Sequence, residues 1–440
     1  MEIQLSFFEK VKAKRKIIFN SFWVILDKII RMLGGLIVGI WVSRYLGPYN
    51  FGKINYASSI IAVCLPFVNM GMNNLVLTDM IRTKDQGPIL FTALGLKMIS
   101  GSIMFLGIYL FSFTMHDDHL TRILLIILSL QCIFQSADIF DLFNQSRTES
   151  KNTVIAKSSA YIVINITKAI ALIVGFDLVF FAWLTVAETL LGTSILLFFY
   201  FKISRQSISN WVFDKKFAKE LLKRSWPLII SDVFITFYMR LDQLMLKSQV
   251  GYTEVGRYSA VVRISEMHYF LASAVCISVY PSIIRLKERS EADFLRGFQR
   301  LFNILTTISV GIALVVSVFA NDITHGLYGV RYPGIGPILS VHIWTGVFVF
   351  LGVGASNWFF VNNYQRYILI FTVIGLVCNV ILNLILIPRY QSLGSAMATL
   401  ISQMFAAVIA NAFVKKTRPI FWLQIRSFLV FITPSLKNYI

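Results

Sequence analysis

Long apolar runs separated by short polar connections make up most of this chain. An α-helix needs about 20 predominantly apolar residues to cross the hydrocarbon core of a bilayer. Runs of that length predict about twelve membrane-spanning helices. They lie near residues 17–42, 51–76, 88–115, 120–144, 154–176, 178–203, 225–250, 257–284, 298–324, 335–361, 365–388 and 391–414.

A polar linker divides these helices into two sets of six. In the linker, aromatic and leucine residues can share one helical face with lysines around it, which is typical of an amphipathic helix on a membrane surface. We therefore predict an N-terminal six-helix bundle at 1–203, a cytoplasmic amphipathic linker at 204–224, a C-terminal six-helix bundle at 225–415 and a cytoplasmic or interfacial tail at 416–440.

One Gly-rich turn occurs twice, half a chain apart. An offset of 204 residues relates Gly47 to Gly251 and Gly52 to Gly256. The repetition indicates two homologous halves, and halves with an even number of spans enter the membrane in the same direction. We predict an all-α integral membrane fold. Its two bundles are related by a pseudo-two-fold axis along the membrane normal and enclose a central cationic cavity.

Composition supports a membrane protein with little soluble mass. Hydrophobic residues make up 56% of the chain and charged residues only 14%, whereas soluble domains carry about 25% charged residues. The net charge of +19 would suggest nucleic acid as the partner of a soluble protein. Here we expect membrane lipids as partners and no nucleic acid, because cytoplasmic loops carry an excess of Lys and Arg. The distribution of Lys and Arg predicts that both termini are cytoplasmic.

Six cations interrupt the predicted spans. A charged side chain inside a membrane is costly and usually faces protein or water, so each is a candidate for function. Arginine suits phosphate because its planar fork donates two parallel hydrogen bonds. We predict that these cations bind an anionic substrate, although ion pairs that fix helix packing are an alternative for each. They are Arg31, Arg240, Arg263, Lys28, Lys97 and Lys168.

Carboxylates inside the spans could couple transport to an ion. Glu188 is the best candidate because no basic residue lies within one helical turn of it. Asp27 and Asp242 could serve as well, or could only neutralise nearby arginines. Asp27 and Arg31 are four residues apart, a spacing at which helical side chains can pair.

The chain lacks the sequence signatures of a phosphate-binding loop and of a zinc protease. We therefore expect no catalytic residues, no metal and no cofactor. Energy for transport, if needed, would come from a gradient of H⁺ or Na⁺ or from the flux of substrate.

Three regions resemble Wzx-type O-antigen and polysaccharide flippases, the polysaccharide-transport branch of the multidrug/oligosaccharidyl-lipid/polysaccharide exporter superfamily. The first region is the exit of the first helix, and the other two lie in the second half. The matching stretches are Ser43–Gly52, Arg240–Leu246 with Val255–Ala260, and Leu382–Tyr390 with Leu393–Ala396.

The resemblance implies an alternating-access transporter of the bacterial inner membrane. It would move an undecaprenyl-diphosphate-linked oligosaccharide from the cytoplasmic to the periplasmic leaflet, with ion coupling. A polysaccharide polymerase and a chain-length regulator are the implied protein partners.

Three other functions stay open at this point. A drug/cation antiporter of the same superfamily would favour an acidic cavity. A membrane enzyme such as an O-antigen polymerase usually needs a sizeable outer loop, whereas no predicted outer loop is much longer than about 15 residues. A passive scaffold of a polysaccharide assembly complex would not need buried charge.

Overall fold

The structure is a computed structural model that describes residues 7–83, 85–115, 117–204 and 212–429, and these residues contain no strand. Helices of the first half are α1 (Phe7–Asn69), α2 (Asn73–Arg82), α3 (Gly87–Thr114), α4 (His119–Ser129), α5 (Gln131–Phe134), α6 (Ile139–Ser146), α7 (Ser150–Val174) and α8 (Leu178–Ser204).

The second half is helical in the same way. Its helices are α9 (Lys215–Val250), α10 (Tyr252–Ser265), α11 (Tyr269–Arg289), α12 (Glu291–Val318), α13 (Ala320–Tyr328), α14 (Gly336–His342), α15 (Thr345–Val361), α16 (Arg366–Met404), α17 (Ala410–Phe413) and α18 (Arg418–Leu429). A short π-helix, Phe405–Ile409, connects α16 to α17.

The two longest helices are each broken by one residue with a positive φ. Gly47 (φ 70°) interrupts α1, and Gln391 (φ 54°) interrupts α16. Glycine adopts this conformation readily, whereas it is uncommon for other residues. Both breaks fall where the sequence separated two successive spans, so the predicted divisions at these points are confirmed.

Nine helical segments in the described part of the chain are long and apolar enough to cross a membrane. Two of them, Leu26–Arg82 and Arg366–Phe413, have 57 and 48 residues and each cover most of two predicted spans. The seventh predicted span lies in α9, which is not among the nine and carries the charged residues Arg240 and Asp242. The prediction of an all-α, multi-pass membrane protein is confirmed.

The chain forms two compact units. The N-terminal unit comprises Met1–Tyr45 and Ala57–Thr236, and the C-terminal unit comprises Leu46–Tyr56 and Phe237–Ile440. Each has its own apolar core. Residues 72–221 contribute to the first core and residues 272–423 to the second. The bundle boundaries, the symmetry axis and the central cavity inferred from the sequence stay predictions.

Both segments that were predicted to lie at the membrane surface contribute to these cores. Part of the linker, residues 205–211, lies outside the described residues. From Lys215 onwards the chain is helical, and Leu221 is buried in the core of the N-terminal unit. In the tail, α18 places Ile420 and Leu423 in the core of the C-terminal unit. Residues 430–440 of the tail are outside the described part.

The repeated Gly-rich turn forms a reciprocal contact inside the C-terminal unit. A Cβ atom at Gly52 would overlap the carbonyl oxygen of Tyr252, and a Cβ atom at Gly256 would overlap that of Pro48. The offset of 204 residues also relates Pro48 to Tyr252. Each copy of the turn therefore packs against the other in the same way, and only glycine allows this approach.

Candidate functional site

A charged cluster in the N-terminal unit is built around Arg31. Its Nε atom donates to Asp27 Oδ1 at 3.1 Å, and Ser158 on α7 donates to the same carboxylate oxygen at 2.7 Å. Tyr161, one turn further along α7, places its ring 5.2 Å from the guanidinium and donates its hydroxyl to the Arg31 carbonyl at 2.9 Å. The predicted pairing of Asp27 with Arg31 is confirmed, and α7 holds that pair in place.

Glu188 on α8 joins this cluster from a third helix. Its carboxylate lies 3.8 Å from Arg31 Nη1 and 3.5 Å from Lys168 Nζ. The sequence favoured Glu188 for ion coupling because it has no basic neighbour along its own helix. That observation holds along α8, but in the folded protein α1 and α7 each bring a cation to Glu188. We define the charged cluster as Asp27, Arg31, Lys168 and Glu188.

A second ion-pair group lies beside the first. Lys157 on α7 is 2.7 Å from Asp141 Oδ2 and 3.3 Å from Asp138 Oδ1. Between the two groups is a cavity of about 200 Å³. It is lined by Arg31, Gln135, Asp138, Lys157, Glu188, Thr189, Gly192, Thr193 and Leu196.

This N-terminal cavity is not cationic. The ionisable side chains in its wall are two cations, Arg31 and Lys157, and two carboxylates, Asp138 and Glu188. Each cation contacts at least one carboxylate, so the wall carries no formal excess of positive charge. The cationic chamber predicted from the sequence does not correspond to this cavity.

The other predicted cations in the N-terminal unit have different surroundings. Lys97 is fully inaccessible to solvent, and its Nζ atom donates to Asn73 Oδ1 at 2.6 Å and to Asn69 Oδ1 at 3.4 Å. It therefore connects α3 to α1 and α2, and its contact with substrate stays a prediction. Lys28 is exposed on α1.

The remaining two predicted cations belong to the C-terminal unit. Arg240 is half-buried on α9 and close enough to Glu266 for their charges to interact. Arg263 on α10 places its guanidinium 5.2 Å from the centre of the Phe51 ring. The six cations are thus divided between two units.

A buried polar network surrounds Asp242 in the C-terminal unit. Asp242 Oδ2 accepts from the hydroxyls of Tyr258 and Thr399, each at 2.7 Å, and Oδ1 accepts from Asn383 Nδ2 at 2.7 Å. His342 Nε2 lies 3.3 Å from the Tyr258 hydroxyl. Within the described residues, every hydrogen bond to Asp242 comes from an uncharged side chain.

Asn383 also has an unused acceptor in this network. Its side-chain amide donates to Asn379 Oδ1 at 2.9 Å, while its own Oδ1 atom is buried without a partner among the described residues. Through its contact with Asp242, Asn383 connects α16 to α9. We define the Asp242 network as Asp242, Tyr258, His342, Asn383 and Thr399.

The sequence analysis missed several residues that complete these sites. Tyr161 and Ser158 lie on α7, and Tyr258, His342 and Thr399 lie on three different helices of the C-terminal unit. Each is a polar residue inside a predicted span, which is the only signal the sequence offers. Nothing in the order of residues shows which polar groups face one another.

A family model described as polysaccharide biosynthesis protein matches residues 17–287. Among curated proteins, the capsular polysaccharide biosynthesis protein CapF of Staphylococcus aureus is 20% identical over 418 residues, which is 90% of this chain and 99% of CapF. The probable flippase AglR of Haloferax volcanii is 28% identical over 180 residues, which is 39% of this chain and 37% of AglR.

Two solved structures show the same fold. The lipid II flippase MurJ in an inward closed conformation superimposes with a TM-score of 0.73 at 16% identity, over 96% of this chain and 93% of MurJ. A multidrug resistance MATE transporter of the MOP superfamily, in an inward-facing conformation, has a TM-score of 0.71 at 15% identity, over 92% of this chain and 96% of that one. The chain therefore belongs to the polysaccharide biosynthesis protein family, as its resemblance to polysaccharide flippases led us to expect, and it has the fold of these two transport proteins.

Proposed function

We propose that this protein is an alternating-access flippase for an undecaprenyl-diphosphate-linked oligosaccharide, such as an O-antigen repeat unit. It would work in the bacterial inner membrane, with both termini cytoplasmic, and would carry its substrate from the cytoplasmic to the periplasmic leaflet. Family membership supports a role in polysaccharide biosynthesis. The likeness to AglR and MurJ, which are both named flippases, supports transport of a lipid-linked substrate.

One observation carries this proposal within the family. The charged cluster and a cavity of about 200 Å³ lie among helices long and apolar enough to span the membrane. On insertion scales, each charged residue at the centre of a membrane helix costs about 2.5–3.5 kcal/mol. A protein that only joined others together would not need charges inside its spans. A transporter needs them, because the polar part of its substrate must cross the apolar layer.

The Asp242 network is the candidate site for ion coupling. A carboxylate surrounded by uncharged donors lacks a countercharge, and a buried charge is expensive unless it is paired. A proton or a Na⁺ ion would supply that charge. The oxygens of Asp242 and Thr399 and the unpartnered Oδ1 of Asn383 are ligands that hard cations prefer, whereas a proton would need Asp242 alone.

The diphosphate would be held by the cations inside the predicted spans. Arg240, Arg263 and Lys28 are the candidates for direct contact. Arg31 and Lys168 already form ion pairs with Asp27 and Glu188, so they would contribute to diphosphate binding indirectly, as members of the charged cluster.

Deleting the gene from the organism that encodes this protein tests the function directly. A flippase defect leaves complete lipid-linked repeat units in the cytoplasmic leaflet, where they are shielded from an impermeant periodate or lectin probe. A polymerase defect would instead leave single repeat units that the probe reaches from outside. A drug antiporter defect would change drug susceptibility and leave glycan export intact. Either of the last two results would overturn the proposal.

A further inference from the structure

We propose that the N-terminal cavity is a subsite for one uncharged, hydroxyl-bearing sugar ring of the lipid-linked glycan, and not for its diphosphate. The inference rests on the proposed function and assigns one part of the substrate to a cavity within a single unit.

The charges of the cavity wall exclude the diphosphate. Arg31 and Lys157 are held in ion pairs with Asp27, Glu188, Asp138 and Asp141, at distances between 2.7 and 3.8 Å. An anion entering here would meet as many carboxylates as cations, and it would have to break ion pairs to gain an arginine. A neutral ligand leaves every pair intact.

The polar groups of the wall suit a sugar. Carboxylates accept hydrogen bonds, and the hydroxyl of Thr189 both donates and accepts. The amide of Gln135 donates to Asp138 and the hydroxyl of Thr193 donates to the Phe134 carbonyl at 3.4 Å, so the side-chain oxygens of Gln135 and Thr193 serve as acceptors. Each sugar hydroxyl also donates and accepts, so it can pair with any of these groups without adding charge. Leu196 gives the wall an apolar patch for the carbon face of a ring.

The size of the cavity limits the ligand to one ring. Its volume of about 200 Å³ is below the roughly 300–1,000 Å³ of pockets for drug-sized ligands. At about 30 Å³ for each molecule, it holds roughly six or seven waters. A single sugar ring would replace those waters, and the rest of a repeat unit would extend outside the cavity.

Gly192 offers a position from which a larger side chain can be built into the cavity wall. Glycine in the middle of a helix is less stable than alanine by roughly 0.5–1 kcal/mol. At Gly101, on α3, packing explains the choice, because a Cβ atom there would overlap the carbonyl oxygen of Cys132. At Gly192, on α8, a Cβ atom would meet only the Cβ of Ala160, at an ordinary 3.8 Å. Packing around the Cβ position therefore does not require this glycine, and the residue lies in the cavity wall.

The matched control for Gly192 is Gly107 on α3. A Cβ atom at Gly107 meets nothing within 4 Å, and the residue does not line the cavity. Gly192→Leu fills the cavity, whereas Gly107→Leu adds the same side chain to a membrane helix elsewhere. The binding of two probes to the full-length protein in lipid nanodiscs is measured. The probes are undecaprenyl diphosphate carrying one N-acetylglucosamine and undecaprenyl diphosphate without a sugar.

We expect Gly192→Leu to weaken binding of the sugar-bearing probe by about tenfold or more and to change binding of the bare diphosphate by less than about twofold. Gly107→Leu should leave both affinities unchanged. Equal weakening of both probes by Gly192→Leu would place the diphosphate in the cavity and overturn the inference, as would unchanged binding of both.

Two further measurements keep the outcome interpretable. Thermal unfolding of each variant reports on folding. If Gly192→Leu unfolds early, Gly192→Ala takes its place, because an alanine there fits the helix and still reduces the cavity. A wild-type protein that binds neither undecaprenyl probe better than phosphatidylglycerol would overturn the proposed function and this inference together. A wild type that binds both, with variants that change neither affinity, overturns the subsite alone.

Discussion

The charged cluster and the Asp242 network use the same kind of side chain in opposite ways. Asp27 and Glu188 are both paired with cations, Asp27 at 3.1 Å from Arg31. Asp242 is more deeply buried and is held by three uncharged donors. The protein itself neutralises a carboxylate that is paired with a cation. A buried carboxylate without such a partner is costly, so binding a proton or a metal cation from solution stabilises it. From this difference we propose that the C-terminal unit exchanges the coupling ion and that the N-terminal unit supplies fixed polarity.

The largest expected effect comes from Asp242→Asn. The amide keeps the shape of the side chain but removes the charge that would attract a proton or Na⁺. We expect ion-driven transport of lipid-linked saccharide in proteoliposomes to fall by roughly 100-fold or more, with the protein still inserted, because the coupling charge is lost outright. Asp27→Asn is the matched variant in the other unit. If Asp27→Asn abolished the ion dependence while Asp242→Asn preserved it, the assignment of roles would be reversed.

Removing Arg31 should have a smaller and partly reversible effect. Arg31→Ala leaves Asp27 and Glu188 without one of their partners, and the loss of a partner from a buried pair is strongly destabilising. Arg31 is 35% exposed, so we expect only roughly 1–2 kcal/mol of lost stability once solvent screening is included. Export should fall as well.

A double-mutant cycle separates the two consequences. Adding Asp27→Asn to Arg31→Ala should recover part of the stability measured by thermal unfolding, since the unpaired charge is gone. Strictly additive losses would show that the two side chains do not act as a pair. Normal glycan export by Arg31→Ala would count against any role for Arg31 in transport.

Thr399→Val changes the surroundings of Asp242 but keeps its carboxylate, so we expect a smaller effect than for Asp242→Asn. Valine resembles threonine in shape but withdraws one donor and one oxygen from the network. We expect roughly tenfold weaker activation of transport by the coupling ion, in the range seen when supporting groups of an ion site are removed. Titrating the ion separates this shift in apparent affinity from a loss of maximal rate, which should stay within about twofold. A lower maximal rate with an unchanged affinity would contradict a role beside the ion.

Lys97→Met should change transport least. Methionine fills a similar space, but Asn69 and Asn73 each lose a hydrogen-bond donor, at a cost of about 1–3 kcal/mol for buried groups left unpaired. Thermal unfolding should therefore shift downwards, while transport for each folded molecule stays at the wild-type level. Reduced transport by a variant that is as stable as the wild type would indicate that Lys97 contacts the substrate.

Much of the fold could be predicted from the sequence because apolar run length is a local property. The divisions near Gly47 and near Pro388 to Gln391 were placed correctly, since glycine and proline mark where helices end. The prediction did not show that α4, α5 and α6 follow one another within a single predicted span. Breaks of that kind depend on how neighbouring helices pack.

Less of the candidate site could be predicted. Charged residues inside apolar runs are conspicuous, so Asp27, Arg31 and Asp242 were identified. The cations beside Glu188 were not predicted, because Arg31 and Lys168 approach it from helices that are distant in sequence. Lys97 was predicted to bind the substrate, and the sequence did not show that its ammonium group donates hydrogen bonds to Asn69 and Asn73.

The sequence by itself determined that this is a membrane protein, that it is helical and that its Gly-rich turn is duplicated. Those properties follow from the free energy of moving each residue type from water into a bilayer and from the backbone freedom of glycine, both of which are local. Only the tertiary structure decided which carboxylates have cations beside them, which lysine is enclosed and where Gly192 leaves space. Charges interact across a few ångströms in space, and the sequence does not record which residues folding will bring that close.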